Sequence, residues 1–156
     1  MFKNILLALL VWSSLSAQDL QIGSELSSLH KYRYMNQHEK LELIPNYIST
    51  IVVSFEKDNS AMINEFLQSK ESDYLKKHNA IFIADISKMP SMVTKFFALP
   101  KMKKYKHTIY LHNTDEFAKY VPAKEDKATI IKFKGQTVTE ISYIGTVEEL
   151  QGILTK

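Results

Sequence analysis

Two short apolar runs constrain the fold of this chain more than any other feature. Residues 50–55 (TIVVSF) and 80–86 (AIFIADI) are rich in β-branched side chains, and they lack the polar alternation of a strand with one face in solvent. Runs of this kind are typical of parallel strands that are covered on both faces by helices. The chain is therefore predicted to be an α/β protein with these two strands at the centre of its sheet.

The first 17 residues have the layout of a cleaved secretory signal. Lys3 supplies a basic start, residues 5–12 form an apolar run, and small residues lead to a cleavage point after Ala17 or Ser16. The eight apolar residues are too few to span a bilayer, and no other stretch is long enough to do so. We therefore expect an exported protein, periplasmic in a cell with two membranes and secreted from a cell with one.

The rest of the chain is predicted to form one domain with a short lead-in. Residues 18–31 are polar without a clear period, so they are predicted to be flexible, and residues 32–156 are predicted to be the domain. A chain of this size buries a real hydrophobic core. The net charge of +3 is too small to indicate nucleic-acid binding. The complete lack of cysteine means that no disulfide supports the domain.

One helix is predicted to follow each apolar run. The first has Asp58, Asn59 or Ser60 as its N-cap, because their side-chain oxygens accept hydrogen bonds from free first-turn amides. The second begins at Ser87 and ends at Leu99, which precedes a proline. The buried face of this second helix is predicted to consist of Met89, Met92, Val93, Phe96 and Phe97.

The last third of the sequence has the clearest local signals. Residues 128–134 and 137–144 are predicted to form a hairpin joined at Gly135-Gln136. Thr146 and Glu149 then have the T-x-x-E spacing of a capping box, which predicts a terminal helix. Three further short strands are predicted at residues 32–35, 40–43 and 107–111.

This order of elements resembles the thioredoxin superfamily, in particular the exported thiol–disulfide oxidoreductases and the peroxiredoxins. The most informative stretch runs from ATIIKFKGQTV at residues 128–138 to GTVEEL at residues 145–150. The resemblance covers about residues 22–154. It implies a thioredoxin-like three-layer α/β/α fold with a mixed central sheet, a C-terminal hairpin and a terminal helix.

The sequence departs from these families where their reactive site lies. Their cysteine begins the helix after the first buried strand, where backbone amides and the helix dipole stabilise a thiolate. Here residues 55–62 read FEKDNSAM, and the whole chain has no cysteine. The position of the families' cis-proline matches Ala128. Thiol exchange and thiol peroxidase activity are therefore excluded.

The site predicted in its place is a groove for a partner chain. Ligands of open α/β sheets bind beyond the carboxyl ends of the strands, where an extended segment can lie against backbone groups. A protein-binding or chaperone-like role toward another exported protein is the leading hypothesis, with no catalytic residue assigned. The predicted groove residues are Glu56, Lys57, Asp58, Asn59, Ser60, Asp85, Ser87, Lys88 and Ala128.

A non-thiol enzyme is the first alternative. Glu56, Asp58 and Asp85 follow the two central strands, and neighbouring carboxylates and lysines can serve as acid and base. The competing interpretation makes Asp58 and Ser87 helix caps and the rest a solvated loop. Ser60 has no histidine near it in sequence to activate it.

A copper carrier is the second alternative. Met89, Met92 and Met102 offer soft ligands for Cu(I), although methionine on an apolar stripe usually fills gaps in a core. His107 and His112 lie on one predicted strand, and their side chains point to opposite faces of it. No H-x-x-x-H spacing occurs in the sequence. No metal site is predicted.

Two remaining features concern charge and cofactors. The lysines of residues 101–106, interleaved with Tyr105 and followed by His107, suit an acidic partner or a phospholipid head group, or form a solvated loop. The glycines at 23, 135, 145 and 152 are too far apart for a dinucleotide or phosphate loop. No flavin, nucleotide or other cofactor is therefore predicted.

Overall fold

The computed structural model describes residues 19–156. The predicted secretory signal at residues 1–17 lies outside the described residues. In chain order the described elements are a 3₁₀-helix Leu26–Leu29, β1 Tyr34–Met35, β2 Leu41–Glu42, β3 Thr50–Ser54, α1 Lys57–Gln68, α2 Tyr74–Lys77, β4 Ala80–Asp85, α3 Ser91–Val93, a π-helical segment Thr94–Ala98, α4 Leu99–Met102, β5 Tyr110–His112, α5 Asp115–Tyr120, β6 Ala128–Lys134, β7 Thr137–Ile144 and α6 Val147–Leu154.

The seven strands form one mixed sheet in the order β2-β1-β5-β4-β3-β6-β7. Strands β3 and β4 are parallel neighbours, with Thr50 opposite Ala80 and Ser54 opposite Ala84. Strand β5 continues the parallel part beside β4, and the outer strands pair antiparallel. The two apolar runs therefore lie at the centre of the sheet, which confirms the predicted α/β fold with a mixed sheet.

Continuous apolar strands occur here because each face of the sheet has its own core. Helix α5 and the 3₁₀-helix cover one face, and helices α1 and α6 cover the other. Alternate strand residues enter the two cores, as the period of two requires. The first core receives Ile51, Val53, Ile81 and Ile83. The second core receives Val52, Phe82 and Ala84.

The C-terminal hairpin and helix match their predicted boundaries closely. Strands β6 and β7 pair antiparallel around the turn at Gly135, whose φ of +62° suits glycine. Thr146 Oγ1 accepts a hydrogen bond from Glu149 N (3.2 Å), and the Glu149 carboxylate accepts from Gly145 N and Thr146 N. These backbone donors, Gly145 first, lower the pKa of Glu149. The capping box is confirmed.

The segment before β1 differs from its predicted flexibility. Leu20, Leu26 and Leu29 are buried in the first core. Leu20 N donates to Tyr120 O (2.8 Å), and Leu26 N donates to Gln136 O (2.7 Å). The segment is largely irregular, so its buried leucines follow neither a helical nor a strand period. Residues 19–31 therefore pack on the domain, although most of them are polar.

The helix after β4 also departs from prediction. It begins at Ser91 with Pro90 as its N-cap, not at Ser87, and it continues through Leu99 to Met102. In a regular α-helix Pro100 would clash with the carbonyl of Phe96, four residues earlier. Phe96 lies in the π-helical segment, where hydrogen bonds span five residues.

No helix among residues 19–156 has the length and apolar character needed to span a bilayer.

The predicted buried face of this helical segment is mostly exposed. Met92 is 66% exposed, Val93 41%, Phe96 57% and Phe97 73%. Met102 enters the second core instead. A helical period identifies which apolar residues share a face, but it does not say whether anything covers that face.

Candidate functional site

The carboxyl ends of β3 and β4 place two chain segments side by side. Ser54 and Ala84 are paired residues near these ends, and β4 ends at Asp85. The chain therefore leaves the sheet at Phe55 and just after Asp85 on the same edge. This is the position at which open α/β sheets bind ligands. Helix α1 leaves from the first exit and the 91–102 helical segment follows the second.

A groove of about 550 Å³ lies at this edge, between the start of α1 and the 91–102 segment. We call it the exit groove. Five of the nine residues predicted for a binding groove line it: Glu56, Lys57, Ser60, Asp85 and Lys88. Its apolar lining includes Phe55, Ile86, Met89, Val93 and Phe97.

The helical period of α1 explains which of its predicted residues reach the groove. Helix α1 begins at Lys57 with Glu56 as its N-cap, so the predicted cap at Asp58, Asn59 or Ser60 is wrong. Lys57 and Ser60 are three residues apart and share one face, which lines the groove. Asp58 is exposed and Asn59 is buried, and both lie outside the groove lining.

Ser87 and Ala128 also lie outside the groove lining. Ser87 is not a helix cap, because its backbone N donates to Asp85 Oδ1 (2.7 Å) in the loop before Pro90. Ala128 is fully buried in the second core, opposite Ile144 in the hairpin. The position that matches the families' cis-proline therefore contributes packing and not a groove surface.

Asp85 lines the groove and has a buried side-chain oxygen that lacks a hydrogen-bond partner among residues 19–156. Its Oδ1 atom accepts the Ser87 amide, whereas Oδ2 is buried and has no hydrogen-bond partner among residues 19–156. A buried carboxylate oxygen without a donor is uncommon, because desolvation is then uncompensated. Glu56 is already engaged at one oxygen, which accepts from Asp126 N (3.1 Å).

Ser60 meets an amide and not a general base. Asn64 Nδ2 lies 3.5 Å from Ser60 Oγ, and Asn64 Oδ1 lies 2.8 Å from His107 Nε2. Asn64 thus stands between the hydroxyl and the imidazole. An amide N–H can orient a hydroxyl but cannot remove its proton, so this chain of contacts supports positioning rather than nucleophilic catalysis.

His107 is a buried neutral imidazole behind the groove. Burial lowers the pKa of His107 to about 4, and the charge of Lys106 acts in the same direction. The ring stacks on Tyr105 with centroids 5.4 Å apart. The predicted strand at residues 107–111 begins later, at Tyr110, so that His107 precedes it and His112 ends it.

The candidate copper ligands do not meet in one place. Met89 and Met102 line the exit groove, but Met92 does not. His112 bonds Arg33 O (3.0 Å) and Thr114 Oγ1 (2.7 Å). Within the described part of the chain, no group of three or more histidine, cysteine, aspartate or glutamate side chains is placed to hold a metal ion.

The groove residues missed from the sequence are mainly apolar. The sequence pattern predicts a buried helix face for Val93 and Phe97 and a basic loop for Tyr105, yet all three residues line the groove. A signal was available, because residues 86–114 contain six lysines and no acidic residue around this apolar stretch. A basic segment around an apolar stretch is also typical of helices that bind a partner or a membrane surface.

Comparisons with solved structures identify the fold. Peroxiredoxin Q of Xanthomonas campestris has a TM-score of 0.54 at 8% identity, covering 87% of this chain and 93% of that chain. A thioredoxin-like protein of Porphyromonas gingivalis has a TM-score of 0.52 at 13% identity, covering 80% and 87%. Searches with models of protein families and against curated proteins found no match. The chain therefore has the thioredoxin-like fold and lacks the cysteines on which the redox chemistry of that fold depends.

Proposed function

We propose that this protein is exported and binds another exported protein in the exit groove, without redox chemistry. The observation that carries the proposal is the combination of exposed apolar side chains, Val93 and Phe97, with a buried unpartnered acceptor, Asp85 Oδ2, in one groove. The proposed location is the periplasm, or the medium for a cell with one membrane. This location is inferred from the signal-like residues 1–17.

The apolar wall supplies the affinity in this proposal. Phe97 is 73% exposed and Val93 is 41% exposed, so a partner side chain that covers them removes their surface from water. Covering a phenylalanine fully contributes about 1.5–3 kcal/mol. Phe55 and Met89 extend the same wall, which suits an apolar side chain of a partner or an unfolded client.

In this proposal the Asp85 carboxylate orients the bound segment through a hydrogen bond. A partner backbone N–H that donates to Oδ2 would satisfy an oxygen that has no donor among residues 19–156. An extended segment presents such an N–H group and an apolar side chain at neighbouring positions. An apolar contact and a backbone hydrogen bond at neighbouring positions suit an extended polypeptide segment as the partner.

Site-specific photo-crosslinking tests this function. A photoreactive residue at Val93 is expected to give a discrete adduct with a protein of the exported fraction, whereas one at Tyr143, which is exposed on β7, is expected to give none. Phe97→Ser should reduce the adduct about tenfold or more, because the apolar wall is lost. Val147→Ser, at an exposed valine on α6, is the matched control and should leave it unchanged. Equal adducts from Val93 and Tyr143 would contradict the proposal.

A non-thiol enzyme is the second candidate, because Glu56 and Asp85 line the same groove. Glu56→Gln separates the two functions. The amide oxygen can still accept from Asp126 N, and the proposed binding mode does not use Glu56, so binding should change by less than about threefold. Acid–base catalysis by the two carboxylates needs both of them and should fall about 100-fold or more. Loss of a turnover reaction with retained adduct at Val93 would favour the enzyme.

A further inference from the structure

The exposed apolar face of the 91–102 segment extends beyond the exit groove. Met92 is 66% exposed and Phe96 is 57% exposed, and neither residue lines the groove. Met92, Phe96 and Pro100 are spaced four residues apart and share one helical face, which we call the apolar ridge. Single exposed apolar residues are normal on proteins, but a contiguous apolar surface marks a place where something binds.

The ridge lies in the most basic part of the chain. Residues 86–114 contain six lysines and no aspartate or glutamate, although the whole chain has a net charge of only +3. Lys103 pairs with Glu39 at 3.2 Å, and the other five form no ion pair within residues 19–156. All six are exposed: Lys88, Lys95, Lys101, Lys103, Lys104 and Lys106.

We propose that the apolar ridge docks reversibly on an anionic phospholipid surface. Met92 and Phe96 enter the boundary between head groups and acyl chains, and the surrounding lysines contact the phosphates. This is the arrangement of an interfacial amphipathic helix, in which apolar burial and attraction to anionic lipid act together.

The position of Lys95 illustrates how both contacts are made at once. Its Nζ atom lies 5.7 Å from the centre of the Phe96 ring, so the ammonium group and the ring lie side by side at the ridge. Lysines that snorkel in this way keep the ammonium group at head-group level while the neighbouring ring inserts.

The shape of the ridge favours a bilayer over an acidic protein. Met92 and Phe96 project from a helix and line no part of the exit groove, whereas protein partners are usually held in pockets around their anchor side chains. The lysines lie on both sides of the ridge in sequence, at 88 and at 95–106. A planar, deformable surface with distributed negative charge complements both features.

The inference is independent of the proposed protein-binding function. The exit groove uses Val93, Phe97 and Asp85 on one side of the helical segment. Membrane docking depends on Met92, Phe96 and the lysines outside the groove lining, Lys95, Lys103, Lys104 and Lys106. Loss of docking therefore leaves the Val93 adduct intact, and loss of the adduct leaves docking intact, so either failure is recognisable alone.

A fluorescent label tests the docking directly, and the cysteine-free chain makes labelling unambiguous. Ser91→Cys, beside the ridge, and Gln136→Cys, in the hairpin turn, each introduce one exposed thiol into the full chain. The label at position 91 is expected to shift to shorter wavelength on vesicles of phosphatidylcholine with phosphatidylglycerol, and to shift much less on phosphatidylcholine alone. The label at position 136 should not shift on either, which distinguishes the ridge from other attachment of the chain.

Two variants of the labelled protein separate the apolar and the charged contributions. Met92→Ser with Phe96→Ser should weaken the response at position 91 about tenfold or more, because the inserted surface is lost. Lys95→Gln with Lys104→Gln, at two lysines outside the groove lining, should weaken it about tenfold or more and reduce its dependence on salt. Both pairs are exposed, and an unchanged thermal transition confirms that the variants fold.

Several results would overturn the inference. These are no shift at position 91 on anionic vesicles, an equal shift on neutral vesicles, or an unchanged response in the serine variant. A shift with polyglutamate in the absence of a shift on vesicles would also overturn it, and would assign the ridge to an acidic protein partner.

Discussion

Replacing Gln37 with leucine is expected to lower the free energy of unfolding by about 3 kcal/mol, because two buried backbone groups lose their partners. Gln37 is 2% exposed. Its Nε2 donates to His107 O (2.7 Å), and its Oε1 accepts from Ile109 N (3.0 Å). Leucine preserves much of the volume but neither bond. Urea unfolding monitored by circular dichroism should show a lower midpoint with an unchanged slope.

The reason for so large an effect lies in the sheet. Strand β1 pairs with β5 at a single register position, Met35 opposite Leu111. Beyond it the chain turns away, and the Gln37 side chain takes the place of the next backbone pair. A side-chain amide carries a donor nitrogen and an acceptor oxygen, so it can replace a peptide group in a ladder.

Gln68→Leu is the matched control. Gln68 Oε1 accepts from Lys106 N (3.2 Å), one residue before His107, but this bond is exposed. Water replaces it when the side chain is changed, so the stability should change by less than about 0.5 kcal/mol. If Gln37→Leu were equally mild, the ladder-replacing role of Gln37 would be wrong.

The parts of the fold that could be predicted from sequence are those with local or strongly periodic signals. Strands β3 and β4 were recognisable because both faces of each are buried. The hairpin at Gly135 and the capping box at Thr146 depend on residues close in sequence. These elements fix the sheet edge, and with it the position of the exit groove.

Helix α5 was missed, although part of its signal was present. Thr114 is its N-cap, and Asp115 and Glu116 occupy the first turn, where carboxylates interact favourably with the helix dipole. The helix is only six residues long. Its Phe117 is fully buried against Tyr32 and His112. The contact with Tyr32, which is distant in sequence, cannot be deduced from a short local pattern.

The candidate site was predictable to the level of strand exits but not of side chains. Glu56 follows β3 and Asp85 is the last residue of β4, so both reach the groove. Asp58 does not, because α1 begins at Lys57 and its helical turn carries residue 58 to another face. The apolar wall was lost for a different reason, since periodicity alone cannot distinguish a core face from a docking face.

The free energy of unfolding is expected to fall by about 2 kcal/mol between pH 7 and pH 5 because of His107. In the unfolded chain this imidazole takes up a proton near its ordinary pKa of 6.5, whereas in the folded protein burial lowers the pKa of His107 to about 4. Below pH 6.5 the unfolded state therefore binds more protons than the folded state, and stability decreases until the pH reaches about 4.

The contacts of His107 explain why the folded ring resists protonation. Its Nε2 is engaged by Asn64 Oδ1 (2.8 Å), and Nδ1 is buried without a partner among residues 19–156. A second N–H placed at Nδ1 would have no acceptor there, and the nearby charge of Lys106 opposes it as well. Loss of the Glu149 cap occurs at lower pH, because backbone N–H groups lower the pKa of that carboxylate.

Urea unfolding at pH 7, 6 and 5 measures this dependence. His107→Gln retains a side-chain donor toward Asn64 and has no titrating ring, so its stability should be nearly constant over this range, even though it is lower at pH 7. His30→Gln, at an exposed histidine, should retain the wild-type slope. A flat wild-type profile, or the wild-type slope in His107→Gln, would show that the buried imidazole does not govern the stability of this domain in weak acid.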